Sequence, residues 1–221
     1  MTSIASGFDS APVMRWIVGI DEVGRGALAG PVTVAAVALA VDRHGRILAP
    51  SFRTLKDSKK LTAAQRERLA KGLRRHPRVR FSVARVYPRG IERMNISAAA
   101  NRAARKAFER LRAGSRFPKG TVIYLDGGLF LGDKTTQKRN FRTAKTVIKG
   151  DERFPAVAAA SIIAKVARDR FMAQLATKFP AYGFELHKGY GTAAHRRAIE
   201  AVGPCAMHRL TFLGNRSTIN R

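Results

Sequence analysis

Acidic residues are scarce in this chain. Only 15 Asp and Glu stand against 42 Lys and Arg over 221 residues, a formal charge of +27. Such a balance repels itself in a compact state and points to a polyanionic partner, with nucleic acid ahead of an anionic membrane surface. Cysteine is nearly absent. Cys205 stands alone, which excludes a disulfide framework and a thiolate zinc cluster and suits a reducing compartment, the cytoplasm. His44, His76, His187, His195 and His208 show no zinc-ligand spacing with it. No apolar run approaches the length that spans a bilayer, and residues 1–13 lack the basic start and apolar core of a secretory signal. There is no internal repeat and no linker long enough to separate two domains.

The 45% of hydrophobic residues suffices for one substantial core. The expected organisation is a flexible leader over 1–13, a single domain over 14–213 and a basic tail over 214–221. Within it, Trp16–Pro31 reads WIVGIDEVGRGALAGP. Trp16, Ile17, Val18 and Ile20 suit a buried strand, and two acids, Asp21 and Glu22, follow at once. Adjacent carboxylates at the end of an apolar strand crowd like charges and are costly unless a cation compensates. A divalent metal would do so. Gly24-Arg25-Gly26 then offers backbone that can approach a ligand closely and a guanidinium that can reach a phosphate. The same residues also suit a plain tight turn with solvated acids. In a regular strand Asp21 and Glu22 point to opposite faces, so both reach one site only where the chain leaves the strand.

Further along, Val32–Val41 is expected to form a hairpin with Ile47 and Leu48 across the Asp42–Gly45 turn. Thr62 caps a helix running to about Arg75, which sets Lys59 and Lys60 near a helix N-terminus that favours anions, although two solvated lysines fit as well. Val79–Val86 alternates as a strand, and Ile91–Leu111 has helical spacing. Thr121–Leu125 is a second apolar strand ending on a carboxylate, Asp126. Groups gather at the carboxyl ends of strands in open α/β sheets, so Asp21 and Asp126 meet if their strands are neighbours. Residues 127–146 show no period and suggest a flexible basic arm. A helix runs from Pro155 to about Phe179 and carries Ser161, Lys165 and Asp169 on one stripe, either around a cavity or as a surface salt bridge. Tyr182–Thr192 suggests a contact loop, and a last helix covers about Ala193–Val202.

Four carboxylates with oxygen-only ligation suit magnesium or manganese, and two such ions serve phosphodiester hydrolysis by in-line displacement. In order, IDEVGRGALAGP, DSKKLT, YLDG, KGD with AAASIIAKVARDR, and YGFELHKGYGTAAH with GPCAMHRLTF closely resemble bacterial ribonuclease HII from about Ile17 to Phe212. The resemblance implies a ribonuclease H-like α/β fold, a mixed central sheet flanked by helices with a helical C-terminal part. It implies hydrolysis of RNA in RNA/DNA hybrids, primer removal, and incision 5′ to ribonucleotides embedded in duplex DNA, leaving 3′-hydroxyl and 5′-phosphate ends. By motif match Asp21, Glu22, Asp126 and Asp169 would be catalytic metal ligands for Mg2+ or Mn2+. Gly24, Arg25, Gly26 and Tyr190 would read the ribose 2′-hydroxyl, and Lys59, Lys60, Lys149, Ser161, Thr192 and His195 would contact phosphates. A site built around a substrate hydroxyl can reject the analogue lacking it by roughly 10⁴–10⁵. The chain departs from the family pattern at Gly128 and in a long basic insertion, Leu129 to Lys145. A monomer acting in DNA replication and repair is expected. The competing expectations are a non-catalytic basic nucleic-acid-binding protein, and a two-metal nuclease of the same fold type that cuts all-DNA substrates.

Overall fold

The computed structural model describes residues 15–55 and 60–214. The leader expected at 1–13, Lys59, and the expected tail beyond Gly214 lie outside them. Five strands form one mixed sheet in the order β3-β2-β1-β4-β5: β1 (Arg15–Val23), β2 (Val32–Val41), β3 (Val79–Val86), β4 (Val122–Asp126) and β5 (Ala144–Val147). β1, β2 and β3 are joined antiparallel, whereas β4 lies parallel to β1 and β5 parallel to β4.

β2 is buried along its whole length. It therefore reads as an unbroken run of Val and Ala rather than an alternation, because helices cover both faces of the sheet. Val34, Ala36 and Ala38 pack with α3 (Ile96–Ala113) on one side. Ala35, Val37 and Leu39 pack on the other with α1 (Ala63–Arg75) and α6 (Pro155–Lys178). α6 opens on Pro155 at its first position and crosses β1 so closely that a Cβ on Gly19 would lie 2.1 Å from the Ala156 carbonyl carbon. The small residues Ala156 and Ala158–Ala160 make that approach possible. α1 begins as expected at a capping box, the Thr62 hydroxyl accepting from the Gln65 N–H while the Gln65 side chain accepts from the Thr62 N–H. A third apolar cluster, around Leu28, Met172, Tyr182, Phe184 and Ile199, ties the C-terminal helices to the sheet domain.

Val32–Val41 turns back at Asp42–Gly45 as expected, but the hairpin is short: Val41 bridges Ile47 and the Leu48 N–H donates to the Ala40 carbonyl at 2.9 Å, while the rest of β2 pairs with β1 and β3. Three expectations are corrected. The single helix expected over Ile91–Leu111 is two, α2 (Pro88–Met94) and α3, broken at Asn95, whose φ of 68° is not helical and whose side chain caps α3 through the Ala98 N–H. Residues 127–146 are not an arm. Leu129 and Leu131 are buried, Asp133 caps α4 (Lys134–Asn140), and β5 adds a parallel edge strand. The 182–192 loop contains the short α7 (Phe184–His187). α5 (Gly150–Arg153) precedes α6, and α8 (Ala193–Val202) covers the expected span and starts at a Thr192 cap. Among the described residues no helix is long and apolar enough to cross a membrane.

Candidate active site

The parallel register pairs Ile20 with Leu125, so Asp21 and Asp126 follow side by side at the carboxyl ends of neighbouring strands. β4 ends at Asp126, while β1 runs on to Val23 along β2 alone. With one edge of β1 open there, Asp21 and Glu22 both line the same cavity of about 410 Å³ despite strand alternation. Asp126, Ser161, Lys165, Tyr190 and the Gly24–Arg25–Gly26 turn line it too.

Burial holds the Asp21 carboxyl well above the usual carboxylate range. Its neighbours Glu22 and Asp126 push the same way, and hydrogen bonds from the Ser161 side chain and the Glu22 N–H only partly offset them. Burial also raises Glu22, against the attraction of Arg25, whose Nη1 is 3.2 Å from Glu22 Oε1. The other Glu22 oxygen, Oε2, is buried without a hydrogen-bond partner among the described residues. Asp126 Oδ1 accepts from the Gly150 N–H at 2.6 Å. Three carboxylates thus share one cavity with a buried lone pair unsatisfied, an arrangement that oxygen-seeking divalent cations fit. Asp169 is placed differently. It is not among the cavity-lining residues, and its Oδ1 is held at 2.8 Å by Lys165 Nζ. Among the described residues no three acids, histidines or cysteines already form a ligand set.

Of the recognition candidates, Gly24 has φ of +84°, and a Cβ there would meet the Arg168 side chain at 2.4 Å, so only glycine fits. Arg25 is tethered by Glu22 and by Ser97 Oγ at 2.8 Å. The Tyr190 ring is flanked by Lys165 Nζ and Arg168 Cζ, 6.0 and 5.9 Å from its centroid. Lys60 and Lys149 are exposed and do not line the cavity, and Lys149 pairs with Glu152. Thr192 caps α8. His195 is corrected as a phosphate contact. It is fully buried, with Nδ1 on the Tyr190 carbonyl at 2.9 Å and Nε2 on His208 Nε2 at 3.1 Å.

Sequence reasoning missed Arg66, which lines the cavity, and two fully buried arginines behind it, Arg168 and Arg209. Burial lowers Arg209 to about 9, with Arg168 adding to the effect. A signal for Arg168 existed: it falls between Ala164 and Met172 at four-residue spacing, on a stripe that is otherwise apolar and buried.

A mixed sheet carrying crowded acids at the ends of neighbouring parallel strands defines a nuclease of the ribonuclease H class, and solved structures of that class share the fold. A ribonuclease HII in complex with PCNA from Archaeoglobus fulgidus matches with TM-score 0.70 and 29% identity, covering 95% of this chain and 97% of that one. The Bst ribonuclease HIII solved in complex with Mn2+ matches with TM-score 0.66 and 25% identity, covering 86% and 63%. The family model described as Ribonuclease HII matches residues 18–214. The Ribonuclease HII of Nitratidesulfovibrio vulgaris is 45% identical over 207 residues, 90% of this chain and 86% of that protein. This chain belongs to the ribonuclease HII family. Its activity is that of an endoribonuclease, a hydrolase that cleaves RNA paired with DNA.

Proposed function

We propose that this chain also incises duplex DNA on the 5′ side of embedded ribonucleotides and leaves 3′-hydroxyl and 5′-phosphate ends. We assign Asp21, Glu22, Asp126 and Asp169 as ligands of Mg2+ or Mn2+. The observation that carries the reading is the shared cavity, in which three crowded carboxylates stand beside the Gly24–Arg25–Gly26 turn and Tyr190. Bound divalent ions would supply charge stabilisation to the attacking and leaving oxygens of the displacement. The Mn2+ complex of the ribonuclease HIII neighbour supports divalent ions in this fold.

The chain's own residues then divide the work. The Glu22 N–H and Ser161 orient Asp21, and the Gly150 N–H orients Asp126. Arg66 and Lys165 bring positive charge to the cavity wall, where a phosphodiester backbone would lie. Asp169, paired with Lys165 at 2.8 Å, would complete the set of carboxylates that hold the ions. The Gly24–Gly26 backbone and Tyr190 would read the 2′-hydroxyl, the only group that marks a ribonucleotide in DNA. The net charge of +27 suits a duplex partner without sequence preference. We assign the work to a monomer in the cytoplasm, in DNA replication and repair, including primer removal.

The test is incision of a DNA duplex carrying one ribonucleotide, with and without Mg2+ or Mn2+, beside an all-DNA control. Metal-dependent incision of the ribonucleotide duplex alone supports the reading. Salt-sensitive binding of both duplexes with no cutting would leave only a basic binding protein, and cutting of the all-DNA control would favour a different two-metal nuclease.

A further inference from the structure

Arg168 and Arg209 are fully buried, and neither forms an ion pair among the described residues. Two guanidiniums sealed from water without a touching carboxylate are costly, so the groups that do satisfy them are informative. Nearly all are backbone carbonyls of one loop. Arg209 donates to Gly24 O at 2.7 Å, Arg25 O at 2.8 Å, and Gly30 O at 2.9 and 3.0 Å. Arg168 donates to Ala29 O and Lys188 O, each at 3.0 Å, and to Pro31 O. Arg168 also fills the space that a Cβ on Gly24 would need.

A planar trans peptide sets each carbonyl opposite the N–H of the next residue, and no cis bond interrupts the chain among the described residues. Anchoring the carbonyls of Gly24 and Arg25 on Arg209 therefore turns the N–H groups of Arg25 and Gly26 away from Arg209. Both residues line the cavity on their other side. Neither N–H donates to another backbone group among the described residues. Arg168 braces the far end of the same loop and reaches Lys188, two residues before Tyr190.

We propose that Arg168 and Arg209 are positioning residues for ribonucleotide selection: they hold the 24–31 loop by its carbonyls so that the Arg25 and Gly26 amides stand as donors facing the substrate sugar. This rests on the reading of that loop as the 2′-hydroxyl sensor. Lysine is no substitute: it keeps the charge, but its one nitrogen cannot reproduce the four bonds that Arg209 sends from three guanidinium nitrogens in a fixed plane.

The experiment compares the wild type with Arg209→Lys and Arg168→Lys. It measures kcat and KM on a duplex with one ribonucleotide, affinity for the all-DNA duplex, and thermal melting. For each folded variant kcat falls on the order of 100-fold, the scale of a small misplacement at a reacting site, while all-DNA affinity stays within about threefold. Unchanged kcat in a folded variant overturns the proposal. So does a kcat loss matched by equal loss of duplex binding, which would be a merely structural effect. Amide hydrogen exchange on the wild type decides independently if both variants fail to fold. The Arg25 and Gly26 amides exchange fast in the free protein and become protected by the ribonucleotide duplex but not by the all-DNA duplex. Protection in the free protein overturns the proposal. If the wild type does not incise the ribonucleotide duplex, the failure belongs to the sensor reading and not to the two arginines.

Discussion

Ile20 of β1 and Leu125 of β4 are register partners in parallel strands. That single pairing brings Asp21 beside Asp126 across 105 positions of sequence and places both on the rim where β4 stops. Helices sealing both faces of the sheet desolvate this rim, so the site is electrostatically strained by the same packing that stabilises the fold.

That strain has a measurable sign. Asp21→Asn removes a buried negative charge from beside Glu22 and Asp126 while keeping a side chain able to hydrogen-bond. In metal-free buffer at neutral pH the variant is expected to gain stability on the order of 1 kcal/mol, seen as a raised thermal midpoint, and to lose turnover. A lowered midpoint would mean that the carboxylate crowding is already compensated.

The buried histidine pair gives a pH signature. The Cys205 N–H donates to His208 Nδ1 at 2.9 Å, so His208 Nε2 carries the proton and His195 Nε2 accepts it, leaving the His195 Nδ1–H for the Tyr190 carbonyl. Both rings are therefore neutral, and burial lowers His195 from 6.5 to about 4. The unfolded chain binds protons in that interval and the folded one does not. The His195 contribution is fully present above pH 6.5 and is lost as the pH falls toward about 4, roughly 3 kcal/mol in all. The raised Asp21 and Glu22 carboxyls act in the opposite sense at the acid end. The clean check is therefore the His195 imidazole signal by NMR, expected to stay neutral until near pH 4. A midpoint near 6.5 contradicts the network.

Gly19→Ala is expected to disrupt the domain without touching the cavity. Its Cβ would lie 2.1 to 2.2 Å from Ala156 and Val157 backbone atoms, which must move. A loss of about 1–3 kcal/mol or more in denaturant unfolding is expected, the range for overpacking a tight core. A stability within about 0.5 kcal/mol of wild type would mean that α6 is free to shift.

Much of this arrangement was legible in the residues. Capping at Thr62, Pro155 at a helix start, and unbroken apolar strands each carry a local signal that packing then reinforces. The carboxylates were legible because acids are rare here and two close an apolar strand. What was not legible lacked a local signal. Asn95 breaks a helix by adopting a positive φ that its neighbours do not announce. KTTQKRN has no apolar stripe, and β5 is a four-residue edge strand fixed only by pairing with β4. Arg209 is one arginine in a chain full of them, set apart only by tertiary burial, and Arg168 carries only the faint signal of its place on the apolar stripe of α6. His195, expected by resemblance at a phosphate, is instead a core residue buried against His208 and the Tyr190 carbonyl.

The most direct test of the metal-dependent reading is the Asp126→Asn variant on a duplex with one ribonucleotide, assayed across Mg2+ and Mn2+ concentrations with duplex affinity measured in parallel. Asn keeps an oxygen for the Gly150 N–H but removes the charge, so turnover is expected to fall by roughly 100-fold or more with affinity little changed. Near-normal turnover at any metal concentration would contradict the assignment of these carboxylates to the chemistry.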